Sequence, residues 1–570
     1  MKKLLAILLM LALVVTMFAG CTKKVEEPAT ETPATETPAE PKVITPQELV
    51  NNVNARKAIA AAIDKEYLTS VILANGSQPA DYFVSATVAT DESGNDFRAK
   101  YPDGWNHYDP AKAQEYWQMA KDELGFESVS IELLTYDSDS SKKISEFIQG
   151  QLQDTLTGLT LTLNQQPFEN KLALADEGKF QLEFAGWGPD YPDPMTFMDM
   201  WVTGGGHNTA GYSNPDYDKA IADSKTGELT KDPAARWTTL QEAENLLIGE
   251  EQVLVPLYQR GGSRLTQPYV GEIWDHAFGG DYSFMVTDTQ ANAEGKKVLR
   301  LVDSSDIPSM DVSKATDAVS FLAMNNVMEG LVRLDANDVP IPGVAESWDV
   351  SEDGLTYTFH LRDTKWSNGD AVKAQDFVYS WQRLVTADTA SQYNFMAESA
   401  GIVNASAIIA PDSTVAPTEL GVKAIDDKTL EVTLAVPTPY FVKLMAFASF
   451  YPQNQAFVEK MGDTYGTSVE TVLYNGPFQL SKWEIGYQYE YAKNANYWNA
   501  SVVKLDAINF RIIKDTAAGV NLYETGEIDR IGLSGEFVEQ YIDHPHFTQY
   551  KDTAIYYLVF NIGNEGKGQH

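Results

Sequence analysis

"TQANAEGKKVLRLVD", residues 289–303, lies near the middle of the chain and reads as a beginning. Its first half is polar, in the manner of a linker. Its second half, "KKVLRLVD", has the apolar alternation of a first strand. A chain that starts a fold at its midpoint must be read outward from that point in both directions.

Upstream, the true first residues carry their own start signal. "MKKLLAILLMLALVVTMFAGC" has two lysines, an apolar run from Leu4 to Phe18, then Ala19, Gly20 and Cys21. The run is short for a membrane-spanning helix and ends in small residues, which fits a secretory signal. Cys21 is the only cysteine, so no disulfide can form within the chain. A lone cysteine after Ala-Gly resembles the lipobox of bacterial lipoproteins, with Phe18 in place of the usual leucine. That resemblance implies lipidation of Cys21; the alternative is an incidental small residue closing the signal. Residues 22–45 repeat the unit ATETP, and proline with charge prevents a packed core, so a semi-extended tether is expected.

Composition bounds the rest. With 570 residues the chain is too long for one ordinary core, and 44% hydrophobic with 11% aromatic residues is enough to fold two or three domains. The formal net charge of -37 excludes nucleic acid as a partner, because a phosphate backbone needs a basic surface. The same charge favours cationic ligands without selecting a fold.

Between the tether and residue 262 the pattern alternates helices and strands. Residues 51–72 are expected as one helix capped by Asn51 or Asn54, with Ile59, Ala62 and Ile63 forming its apolar stripe. Residues 109–125 form a second helix, with Asp109 as cap, Pro110 at the first position and Gly125 as stop. Strands at 128–136 and 159–166 flank a helix "SSKKISEFIQGQLQDTL", so a partly parallel sheet is expected. The alternation runs through "KFQLEFAGWGPDYPDP" to "VLVPLYQRGG" (253–262), where Gly261 and Gly262 permit a bend. Beyond 263 the texture becomes strand-rich: "KVLRLVD", "LTYTFHLR", "TLEVTLAV" and "FQLSKWEI", with Asn-Gly turns in "SNGD" (367–370) and "YNGPF" (474–478). The two halves are not self-similar, so the chain is not a tandem duplication.

"PGVAESWDVSEDGLTYTFHLRDTKWSNGDAVKAQDFVYSWQRL" (342–384) resembles the signature region of extracellular oligopeptide-binding proteins, the large solute-binding subunits of ATP-driven peptide importers. Residues 420–445, "YNGPFQLSKWE", "NANYWN" and "YETGEIDR" (523–530) follow in that family's order. "NNVNARKAIAAAIDKEYL" and "AGWGPDYPDP" also match, so the resemblance runs from residue 51 to about 562. The order of segments departs from the family. There, the strand ending "YYLVFN" (556–561) leads directly into the helix that here begins at Asn51, and the mature chain starts where "KKVLRLVD" stands. The chain is therefore similar to a circular permutant, with the old termini joined through "TQANAEGKK" and the chain reopened after "FNIGNEGK"; a rearranged or misassembled product is the other reading.

The resemblance implies an α/β, periplasmic-binding-protein-like two-lobed fold of type II, in the large cluster with an extra inserted domain. The divisions expected are 1–21 signal, 22–45 tether, 46–262 ligand-binding lobe, 263–328 plus 455–565 second-lobe sheet domain, and 329–454 inserted domain. It also implies capture of extended oligopeptides between lobes and delivery to the permease and ATPase subunits of an ABC importer. The protein would be a monomer without cofactor, held outside the cell membrane (in the periplasm if the envelope is double) by its N-terminal lipid. Other ligands stay open: a dipeptide, a nickel complex, haem or an oligosaccharide, or a peptide pheromone sensed without transport.

Site residues follow from the same resemblance. In "AGWGPDYPDP", Gly186 and Gly188 let a ligand backbone approach, Trp187 offers a wall, and Asp190 matches the carboxylate that pairs with a peptide's ammonium. Thr316, Asp317 and Ala318 match a segment whose backbone faces the ligand; Tyr393 matches a tyrosine at the cleft edge and Tyr557 one in a crossing strand. The arginines that some relatives place before "AGW" to receive a C-terminal carboxylate are absent, and Lys179 is the only base in "ADEGKFQLEF". Gly261 and Gly262 are expected as hinge. Reopening after "FNIGNEGK" is expected to remove one of two lobe crossings.

Enzyme readings find little support. The seven histidines are scattered, and His544 and His546 are too isolated for a metal site. "YDSDSS" (136–141) lacks the glycine and distal glutamate of a calcium loop, and "TGGGHNTAGY" (203–212) lacks the Lys-Ser/Thr of a phosphate loop. No Ser-His or Cys-His pairing can be argued, and no enzyme activity or metal is expected.

Overall fold

The computed structural model describes residues 42–91 and 93–563. The expected signal, Cys21 and most of the tether lie outside the described residues.

Thr45 caps the first helix, Pro46–Asn51, and exchanges hydrogen bonds with Glu48 in a capping box. The next helix is Val53–Ala61, capped by Asn52, whose side chain accepts from Ala55 N. The single helix expected over 51–72 is thus broken. Asn52 takes an extended ψ of 118° to cap, and Asp64 caps the following turn by accepting from Tyr67 N. The apolar stripe survives the break: Ile59, Ala62 and Ile63 are all buried. The helix Pro110–Leu124 has Asp109 as cap and Gly125 at φ 75° as stop, as its residues predict.

The first strands in chain order are β1 (Gln78–Pro79), β2 (Val129–Tyr136), β3 (Leu159–Gln166), β4 (Leu182–Trp187) and β5 (Leu254–Thr266). The ribbon β6 (Trp274–Asp275) with β7 (Tyr282–Ser283) follows, then β8 (Val298–Asp303). Next come β9 (Val332–Leu334), β10 (Pro340–Pro342), β11 (Ala345–Val350), β12 (Thr356–Leu361), β13 (Val422–Asp426) and β14 (Thr429–Thr433). The last are β15 (Phe478–Glu484), β16 (Gln488–Lys493), β17 (Ala507–Ile512), β18 (Arg530–Leu533) and β19 (Phe547–Phe560).

β1, β5, β19, β4, β2 and β3 pair in that order, and β18 also joins β5. β2 is parallel to β3 and β4, while β19 is antiparallel to β4 and β5. This gives the partly parallel sheet expected from the β–α–β pattern. The helices Val53–Ala61, Pro110–Leu124 and Asp139–Thr155 cover it, burying Ile59, Trp117, Ile144 and Ile148 in one cluster with Leu133, Leu182, Leu257 and Leu558. A second sheet runs β11-β12-β14-β13 and a third β15-β16-β17-β8. β8, the strand expected after the polar linker, pairs in parallel with β17.

The linker itself is a tight turn. Asn292 N donates to Lys296 O at 2.8 Å, Gly295 takes φ 79°, and the Asn292 side chain accepts from Glu294 N and Lys296 N. Residues 290–296 are exposed. "SNGD" also turns, with Gly369 at φ 96° and Trp366 N bonded to Asp370 O. "YNGPF" does not behave as a hairpin turn. Asn475 is buried and its amide pairs with both backbone groups of Glu329, at 3.0 and 2.9 Å.

β5 and β19 are the long strands of the first sheet, and β18 pairs with the Ser263–Thr266 end of β5. Gly261 and Gly262 lie inside β5, opposite Lys551 and Tyr550, rather than at its end. The interruption is on the partner strand. Pairing breaks between Lys551 and Ile555, and Asp552 in that bulge reaches Arg260 at 2.7 Å. Pro256 falls at a second register shift, between Tyr556 and Tyr557, where a missing N–H costs least.

β19 also corrects an expectation. Its residues Ile555–Phe560 pair with β4, so the end of the segment 455–565 belongs to the first sheet. Both long strands are unbroken. The chain reaches Asn561 only after β19 is complete.

Candidate functional site

A cavity of about 730 Å³ opens where β4, β5, β19 and the segment 316–322 meet. Its wall includes Gly186, Trp187, Gly188 and Asp190 from β4 and the loop after it, and Thr316, Asp317, Ala318 and Tyr393 from the chain beyond β8. Tyr557, Gly261 and Gly262 line it as well. Residues far apart in sequence thus share one space. The volume lies within the roughly 300–1,000 Å³ of ordinary ligand sites.

The loop after β4 is fixed by its own side chains. Asp190 N donates to Thr196 Oγ1 at 2.9 Å, and Trp187 Nε1 to Thr196 O at 3.1 Å. Asp193 receives both terminal nitrogens of Arg236, at 2.8 and 2.9 Å, and accepts from Met195 N. This frame presents Asp190, only 7% exposed, to the cavity. One carboxylate oxygen accepts from Tyr393 Oη at 3.3 Å; the other has no hydrogen-bond partner among the described residues.

Burial drives the Asp190 carboxyl well above its ordinary value, and the charge of nearby Asp199 pushes the same way. Asp199 has company of its own: Lys225 at 3.4 Å, Tyr191 at 3.2 Å and Ser399 at 3.1 Å. Asp190 has no lysine or arginine in ion-pair range among the described residues. A desolvated carboxylate with a free oxygen is costly until something positive completes it.

The other expected residues fall into distinct roles. Trp187 stacks at 6.3 Å on Tyr393, and His207 packs against both rings. Tyr393 lines the cavity, is buried against Phe321 and Phe447, and gives its hydroxyl to Asp190. A side chain at Gly186 would come within 2.7 Å of the Tyr556 ring, so cross-strand packing requires this glycine. Gly188 is exposed, and the nearest atom to an added Cβ is 3.9 Å away. Asp317 caps the helix Ala318–Val327: its two oxygens take Ser320 N at 2.8 Å and Ser320 Oγ at 2.7 Å, and burial lifts it to about 6. Tyr557 packs edge-on against Phe83 and Trp201 while lining the cavity.

Sequence reasoning overlooked a polar cluster in the wall. Lys171 meets Glu183 at 2.5 Å with both side chains buried, Thr209 donates to Glu183 at 3.1 Å, and the Lys171 ammonium lies 4.6 Å from the Tyr136 ring centre. A glutamate inside the apolar strand "LEFAGW" was the available signal, since a buried carboxylate needs a partner. Lys179, the base singled out in that stretch, instead pairs with Glu177 at the surface. Among the described residues no group of three or more His, Cys, Asp or Glu could hold a metal, and no helix is long and apolar enough to cross a membrane.

Residues 28–209 and 339–567 match the family model of bacterial extracellular solute-binding proteins, family 5 Middle. The chain belongs to the family 5 bacterial extracellular solute-binding proteins. A dipeptide-binding protein of Lactococcus lactis subsp. cremoris is 38% identical over 263 residues, covering 45% of this chain and 47% of the relative. The periplasmic oligopeptide-binding protein OppA of Escherichia coli is 37% identical over 268 residues, covering 46% and 49%. The chain spans about half the length of the curated relatives it matches. Among solved structures, the substrate-binding domain of an oligopeptide ABC transporter from Bacillus anthracis is 46% identical, with a TM-score of 0.43 and coverage of 45% and 48%. Listeria monocytogenes OppA bound to peptide is 41% identical, with a TM-score of 0.43 and coverage of 44% and 49%.

Proposed function

We propose that this chain captures extended oligopeptides in its central cavity and delivers them to the permease of an ABC importer. The observation that carries the reading is Asp190: a buried carboxylate at the cavity wall which, among the described residues, has one oxygen without a hydrogen-bond partner and no lysine or arginine in ion-pair range. A peptide's N-terminal ammonium supplies the missing charge and up to three donors. Main-chain hydrogen bonds, each worth about 1 kcal/mol net, supply affinity without reading side chains. Family membership and the names of the relatives point the same way.

Cys21 is the residue we propose for lipid attachment, with the protein a monomer on the outer face of the membrane. The lobes are taken as 46–262 with the end of β19, and 263–554 with an insertion at 329–454. The permuted order of segments belongs to the same reading. It is supported by the contact between the beginning and the end of the described chain, where Gln47 Nε2 donates to Asn561 O at 2.8 Å. The exposed turn at 290–296 is a fitting place for two old termini to be joined.

Native mass spectrometry of the protein purified from its own cells tests the function. A ladder of mixed peptides is expected as co-purified ligand; a single defined sugar or metal complex would contradict the proposal.

A further inference from the structure

The balance of charge around the cavity says which peptides it takes; the inference rests on the peptide-binding reading above. Four basic side chains, apart from His207, line the cavity, and each already faces an acid of the protein. Lys143 meets Glu536 at 2.7 Å and Lys171 meets Glu183 at 2.5 Å. Arg260 lies between Asp552 at 2.7 Å and Asp281 at 3.2 Å, and Arg530 reaches Asp275 at 3.4 Å.

The acids do not balance in the same way. Asp190, Asp303 and Asp317 line the cavity with no cationic side chain in ion-pair range among the described residues. Asp317 is satisfied by Ser320. Asp303 accepts from Tyr489 Oη at 2.8 Å and from Ser304 N at 2.7 Å. Such neutral donors hold a carboxylate but bring no opposing charge to it. Of these three, only Asp190 has an oxygen without a hydrogen-bond partner among the described residues. The three sit on different elements: the loop after β4, the end of β8 and the start of the helix Ala318–Val327.

We propose that the cavity selects peptides with positive charge beyond the N-terminal ammonium, meaning those with lysine or arginine side chains, and rejects acidic ones. A peptide ammonium completes Asp190 and leaves Asp303 and Asp317 without a cation among the described residues. A basic side chain lowers the remaining negative potential, whereas a glutamate or aspartate adds to it in a setting that water screens poorly. Every lysine and arginine of the wall among the described residues is already paired with an acid of the protein, so none is left to reward a ligand carboxylate, and discrimination comes from repulsion as well as attraction.

The test is calorimetric titration of the purified full-length chain with three pentapeptides, Ala-Ala-Xaa-Ala-Ala, where the central residue is lysine, glutamine or glutamate. The lysine peptide should bind about tenfold more tightly than the glutamine peptide, and the glutamate peptide about tenfold more weakly. Binding of all three within twofold, or a preference for glutamate, overturns the charge inference while peptide capture stands. Binding of none overturns peptide capture and the inference with it. In D303N the lysine-to-glutamate ratio should fall about threefold with the melting temperature retained; an unchanged ratio removes Asp303 from the selection.

Discussion

Tyr393 donates its hydroxyl to Asp190 across 203 residues of sequence, at 3.3 Å, and this is the only hydrogen bond that a side chain gives the Asp190 carboxylate among the described residues. The bond joins the loop after β4 to a segment beyond β12, so the same pair that readies the carboxylate also links two regions of the fold.

The first consequence is a conflict between stability and binding at Asp190. Its carboxyl is raised by burial, so the folded state resists ionisation that the unfolded state undergoes near pH 4. Between those two values the folded chain holds the extra proton, and stability falls as pH rises. Asp190→Asn should remove this loss and raise the ligand-free stability at pH 7 by about 2 kcal/mol. Denaturant titrations of both proteins at pH 4 and pH 7 measure it; an Asn variant less stable at pH 7 would contradict the account.

Glu244 gives a second pH effect, remote from the ligand. It is buried and accepts from Phe83 N and Val84 N, both at 2.8 Å, yet desolvation lifts it from 4.5 to about 7. Above pH 4.5 the unfolded state loses this proton while the folded state keeps it. Stability therefore falls from pH 4.5 to about pH 7 and is flat above. Glu244→Gln keeps an acceptor for both amides and should flatten that slope, with a gain of about 3 kcal/mol at pH 8. Melting curves at pH 5 and pH 8 check the sign.

The two glycines of β5 should respond differently to alanine. At Gly261 a Cβ would sit 2.3 Å from Gly76 O and 2.4 Å from Gly76 C, a backbone that cannot turn aside. At Gly262 it would meet the Tyr550 ring at 2.2 Å, and a side chain can move. Gly261→Ala should cost about 3 kcal/mol and Gly262→Ala about 1 kcal/mol, read from denaturant midpoints. Equal costs would show that the close approach to Gly76 is unimportant.

Restoring the other order of segments should change little. Joining Gly563 to the helix at Pro46 through a short linker, and opening the chain between Gly295 and Lys296, keeps both long strands intact. The variant should bind peptide with unchanged affinity, and small-angle scattering should register the same compaction on binding. A more compact liganded form than that of the present chain would mean that the present order loosens closure after all.

The sequence was most legible where local chemistry acts alone. Asp109, Pro110 and Gly125 bound their helix without help from the rest of the fold, and β2, β3 and the exposed turn at 290–296 follow from patterning. Reading failed where several residues offered the same local signal. Asn51, Asn52 and Asn54 can all cap, and Asn52 is the one that does. Asn475–Gly476 has the signature of a turn, yet burial against Glu329 turns the asparagine into a backbone partner. The site was legible only as residue types. That Asp190 meets Tyr393, that Lys171 completes Glu183, and that β19 serves both regions are long-range outcomes that no local pattern encodes.

The central claim, that Asp190 receives a peptide ammonium, is tested most directly by titrating the protein with one peptide in two forms, free and N-acetylated. The free form should bind at least a hundredfold more tightly, a difference of about 2.7 kcal/mol, and Asp190→Asn should erase most of that gap. Equal affinity for the two forms would contradict the account.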